Sequence, residues 1–91
     1  DDRTFPAIDL ARFAVGASAT HPAVLNAANE VMVDAFIKGI VPWLAIVDTV
    51  SAVVGEHEGV ADPSMEDIVA VQRWADRRAR ECVAAGQWKD L

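Results

Sequence analysis

His21-Pro22-Ala23-Val24-Leu25-Asn26-Ala27-Ala28-Asn29-Glu30-Val31 is an apolar run broken by polar residues at a helical interval. Positions three and four apart are neighbours on an α-helix, so Asn26, Asn29 and Glu30 form one amide and carboxylate cluster among Val24, Leu25, Ala27, Ala28, Val31 and Met32. Asparagine is about 0.6 kcal/mol worse than alanine inside a helix. Two of them within four residues either tile a solvated face or lend their hydrogen-bonding groups to a loop, another domain or a ligand. Asn26, Asn29 and Glu30 are therefore the candidate domain-interface residues of this chain.

Outward from that run, punctuation and period predict four helical segments and an all-α, four-helix bundle-like domain over residues 1–91. Pro22 suits the first turn of a helix over 22–38, with Thr20 or His21 near its cap, an Asp34–Lys38 pair, and Gly39 just past its end. Its apolar face is wide enough to place it centrally among the other helices. A shorter helix over about 7–15 follows Pro6 and stops at Gly16.

A third helix is expected from Pro42 to about Val54 or Gly55. Its many valines invite a strand reading, but Trp43, Ile46, Val47, Val50, Val53 and Val54 fit the helical period better, with Asp48 and Ser51 on the polar side. The polar stretch from Gly55 to Pro63 reads as a loop. Ser64 then caps a fourth helix over 65–85 in a capping box with Asp67, and Gly86 ends it. Ile68, Val71, Ala75, Ala79 and Cys82 face inward, Phe13, Phe36, Trp43 and Trp74 are the expected bulky core fillers, and residues 87–91, with Trp88, form a loose tail.

The sequence Pro-Ala-Val-Leu-Asn-Ala-Ala-Asn-Glu-Val over 22–31, followed by Val33 and Ala35-Phe36, resembles the C-terminal region of the 1-deoxy-D-xylulose 5-phosphate reductoisomerase family. Upstream, Phe5-Pro6-Ala7-Ile8-Asp9-Leu10-Ala11 is similar to the Phe-Pro-Ala-x-x-Leu-Ala run of that family, in the same order and at about the same spacing. The approach Ala17-Ser18-Ala19-Thr20-His21 departs from the Gly-rich approach common among its members.

The resemblance implies a C-terminal domain that supports a catalytic region and contacts the catalytic and nucleotide-binding domains of the same chain. It implies an oxidoreductase and isomerase of the non-mevalonate isoprenoid route. The complete enzyme would use NADPH and Mg²⁺ or Mn²⁺ to convert 1-deoxy-D-xylulose 5-phosphate to 2-C-methyl-D-erythritol 4-phosphate, as a homodimer. The start Asp1-Asp2-Arg3, without a methionine, suits a segment of a longer polypeptide. A freestanding helical protein-interaction module, docking through the 22–38 helix, is the alternative.

Composition sets the remaining bounds. At 91 residues the chain is one small domain, 53% hydrophobic and rich in alanine and valine. A net charge of −6 opposes nucleic-acid binding, which requires a basic stripe. No apolar run approaches the roughly 18 residues needed to cross a bilayer. A single cysteine, Cys82, suits a reducing cytoplasm and reads as a core residue rather than a reactive one.

No chemistry assembles from sequence alone. No G-x-G-x-x-G turn is present, so no cofactor-binding residue is assigned, and neither a metal ligand nor a catalytic residue is found. His57, between Glu56 and Glu58, lacks partners at ligand spacing, lies far along the chain from His21, and reads as part of a solvated loop. Asp48, Thr49 and Ser51 lack a histidine to complete a nucleophilic set. Arg73, Arg77, Arg78 and Arg80, interleaved with Asp76 and Glu81, read as a salt-bridged face in preference to an anion site.

Overall fold

The computed structural model describes residues 18–86. Within them the chain forms three helices and no strand: α1 (His21–Ile37), α2 (Leu44–Glu56) and α3 (Met65–Ala85). The all-α expectation holds. The expected 7–15 helix, Phe13 and the 87–91 tail with Trp88 lie outside the described residues, so the bundle described here has three members.

The helix ends follow the punctuation. Thr20 is the N-cap of α1, with Pro22 in the first turn, where a missing amide proton costs nothing. At the other end Gly39 takes φ +76°, its N–H donates to the Phe36 carbonyl at 3.0 Å, and the Ile40 N–H donates to the Ala35 carbonyl at 2.9 Å. These two bonds make a Schellman turn, which a Cβ at position 39 would strain. Lys38 pairs with Asp34 at 3.0 Å, as their spacing predicts. Ser64 caps α3 reciprocally: its hydroxyl accepts from the Asp67 N–H at 3.1 Å, and Asp67 accepts from the Ser64 N–H at 3.0 Å. Glu66 and Asp67 also place negative charge at the positive end of that helix.

α1 packs against both other helices, while α2 and α3 touch each other more sparingly. The core is built from small side chains. Val24, Ala28, Val31, Met32 and Ala35 of α1 meet Ala45, Ile46, Val50, Val53 and Val54 of α2 and Ala75, Ala79 and Cys82 of α3. Alanine at 28, 75 and 79, wholly buried, lets the backbones of α1 and α3 approach closely.

The expected aromatic fillers are placed differently. Trp43 is 67% exposed and Phe36 37% exposed, with Trp74 half-buried against the core. Trp43 falls at the N-cap of α2 rather than inside the helix. Ser51, expected on the polar side, is buried, and its hydroxyl has no hydrogen-bond partner among the described residues.

Candidate functional site

Asn26 and Glu30 stand one turn apart on α1 and look onto an open groove between α1 and α3. The groove has a volume of about 400 Å³, and Val69, Gln72, Arg73 and Asp76 of α3 form its other wall. Asn29 is exposed but does not line it. The structure thus brings two of the three candidate residues to one concavity and leaves the third on open surface. None of the three has a side-chain hydrogen bond or ion pair among the described residues. Asn26 and Gln72 offer both donors and acceptors, Glu30 accepts, and Arg73 donates. This mixture matches peptide groups and polar side chains of a neighbouring protein surface better than it matches an ion of one sign.

The model of the DXP reductoisomerase C-terminal domain family matches residues 1–79. The chain belongs to that family. It is 52% identical, over 94% of its own length, to a 1-deoxy-D-xylulose 5-phosphate reductoisomerase from Beutenbergia cavernae, and 47% identical over 92% to one from Kitasatospora griseola. A third such enzyme, from Pelotomaculum thermopropionicum, is 49% identical over 82% of the chain. The chain spans 22%, 22% and 19% of these three relatives. No solved structure matches it. As a member of a C-terminal domain family covering about a fifth of its relatives, the segment is one part of an enzyme architecture whose remainder lies elsewhere in those chains.

A second polar cluster in this family member escaped the sequence reading. His57, expected in a solvated loop, is half-buried, and its Nε2 lies 2.7 Å from the Thr20 hydroxyl. The His57 carbonyl is 3.0 Å from Nε2 of His21, and the Thr20 hydroxyl accepts the Val60 N–H at 3.1 Å. Ser18 closes the cluster, with its Oγ 2.6 Å from Nδ1 of His21 and 3.1 Å from the Thr20 hydroxyl.

Because a carbonyl only accepts, Nε2 of His21 carries the proton in its neutral form, and its Nδ1 accepts from the Ser18 hydroxyl. Burial lowers the His57 pKa, the nearby His21 lowers it further, and Glu58 opposes both. Trp74 covers His57 from α3, with ring centroids 5.9 Å apart.

The Ser18–His21 contact joins a hydroxyl to an imidazole beneath the 57–60 loop. A Cβ on Gly59 would lie 2.9 Å from both Cβ and Oγ of Ser18 and 3.3 Å from the His21 ring, so the 57–60 loop is pressed onto the pair. The arrangement clasps the start of α1 to the α2–α3 connection. In the sequence only Gly59 signalled this close approach, and the glutamates flanking His57 masked it.

Two of the four arginines are ion-paired as their spacing suggested, through Arg80–Asp76 at 3.1 Å and Arg78–Glu81 at 3.5 Å, while Arg73 and Arg77 form no ion pair among the described residues. Arg78 also makes a bidentate pair with Glu56 of α2, at 2.7 and 3.0 Å, which raises the arginine pKa and ties α2 to α3. Cys82 is buried, and burial raises its thiol pKa, the behaviour of a core residue. Among the described residues no group of three or more His, Cys, Asp or Glu could hold a metal ion. These residues therefore do not fit the divalent cation that the family resemblance implies. No described helix is long and apolar enough to cross a membrane.

Proposed function

We propose that this chain is the C-terminal support domain of a longer 1-deoxy-D-xylulose 5-phosphate reductoisomerase, and that it docks on the catalytic and nucleotide-binding domains of the same chain through Asn26, Asn29 and Glu30. The observation that carries the reading is the pairing of a family match over residues 1–79 with polar α1 side chains that have no partner among the described residues. The complete enzyme is a cytoplasmic homodimer that rearranges and reduces 1-deoxy-D-xylulose 5-phosphate to 2-C-methyl-D-erythritol 4-phosphate with NADPH and Mg²⁺ or Mn²⁺. In this reading the cation and nucleotide sites belong to the remainder of that enzyme. This segment contributes position rather than chemistry. Each buried amide at the junction would satisfy a backbone group whose loss of partner costs about 1–3 kcal/mol.

Two measurements test the proposal. The purified 91-residue chain, supplied with substrate and Mg²⁺, should consume no NADPH, and turnover would refute the support role. Asn26→Leu, Asn29→Leu and Glu30→Gln should leave the melting temperature of the 91-residue chain nearly unchanged while lowering kcat/KM of the complete enzyme. Equal tolerance in both settings would show that the face is merely solvated.

A further inference from the structure

The bend between α1 and α2 carries an apolar surface that the support role does not yet use. Phe36, Ile37, Ile40, Trp43 and Leu44 are five large apolar side chains within nine residues, and all are exposed, Ile37, Trp43 and Leu44 by 67–75%. Phe36 and Trp43 meet edge-to-face with centroids 5.6 Å apart, so two of the five form a preassembled aromatic unit. Lys38 is the one charge between Ala35 and Val47, and it is already paired with Asp34. Beside the bend, a groove of about 270 Å³ is lined by Val31, Ala35 and Ile40 and by Val83 and Ala84, with the charged Asp34, Lys38 and Arg80 completing its walls. An exposed aromatic pair among further apolar side chains, flanked by a groove with charged residues in its walls, has the apolar centre and polar margin of an interface.

We infer that this bend is the main apolar seat of the domain, and that its occupant is an apolar surface of the polypeptide preceding residue 1 in the complete enzyme. The inference rests on the proposed support role and names the contact that carries most of the docking. The length of chain outside this segment argues for that occupant, since the relatives are several times longer than the 22% or less that is matched here. A second copy would bring together two chains of net charge −6. The amide groove is then a polar flank that sets register, and the bend supplies the hydrophobic contact.

Photo-crosslinking in the complete enzyme tests this assignment. Trp43→p-benzoylphenylalanine puts a photoreactive aromatic group at the exposed centre of the bend, and mass spectrometry identifies the peptide captured. The expected product is an intrachain crosslink to a peptide upstream of residue 1. Capture of a peptide from residues 1–17, an interchain crosslink between two copies, or no crosslink in folded enzyme would each overturn the inference. A matched probe, Glu30→p-benzoylphenylalanine, separates the two readings. Upstream capture from position 30 without capture from position 43 leaves the support role standing and removes the bend as its seat. Capture from neither position removes both.

Discussion

His21 and His57, 36 residues apart in sequence, meet ring to ring with centroids 4.7 Å apart and planes inclined by 62°. Each also bonds to the segment that carries the other. Nε2 of His21 donates to the His57 carbonyl, and Nε2 of His57 shares a hydrogen bond with Thr20 next to His21. One clasp therefore holds both ends of the 57–60 loop and the first turn of α1.

The clasp makes stability depend on pH. Folding lowers the His57 pKa below its ordinary 6.5, so near that pH the unfolded chain binds more protons than the folded one. The stabilisation is present above about pH 6.5 and is lost as pH falls through the folded value. Urea unfolding at pH 7.5 and 5.5 should show the loss, and His57→Gln should reduce the difference between the two.

Gly59 and Gly55 should respond to alanine in opposite directions. At Gly59, φ is +92° and a Cβ would press on Ser18 at 2.9 Å, so Gly59→Ala should cost about 1–3 kcal/mol. Gly55 lies in the last turn of α2 with nothing within 4 Å of its Cβ position, and Gly55→Ala should gain about 0.5–1 kcal/mol. Chemical denaturation of the two variants checks both signs.

Ser51 carries a buried hydroxyl without a hydrogen-bond partner among the described residues. Ser51→Ala removes that group and improves the helix former, so stability should rise by about 1–2 kcal/mol. A lower melting temperature in the variant would show that the hydroxyl has a partner.

The Glu56–Arg78 pair joins α2 to α3 with side chains that are 40% and 26% exposed. A double-mutant cycle with Glu56→Gln and Arg78→Gln should give a coupling of about 0.2–1 kcal/mol, weakened at 1 M salt. The bidentate geometry favours the upper part of that range.

The sequence carried the helices well because their ends are chemically marked. Pro22, Gly39, the Ser64–Asp67 pair and Gly86 place the boundaries almost where the structure has them. It carried the interior less well. Size suggested that Phe36 and Trp43 fill the core, whereas alanine and valine close it and the aromatics gather at the bend. Periodicity reports which side of a helix is apolar, not which apolar side will find a partner. The histidine cluster was illegible for a different reason, since its contacts join residues 36 to 40 positions apart through a loop whose composition reads as solvated. Of the candidate face, the spacing gave Asn26 and Glu30 as neighbours, and only α3 turned that spot into a groove.

An interior of alanines and valines removes little hydrocarbon from water per residue ordered. The heat-capacity increment of unfolding follows that area, so the thermal stability curve of this segment is broad and shallow. Covering the bend at Trp43, as proposed, would add the large rings that the interior lacks and would make the melting transition of the complete enzyme correspondingly steeper.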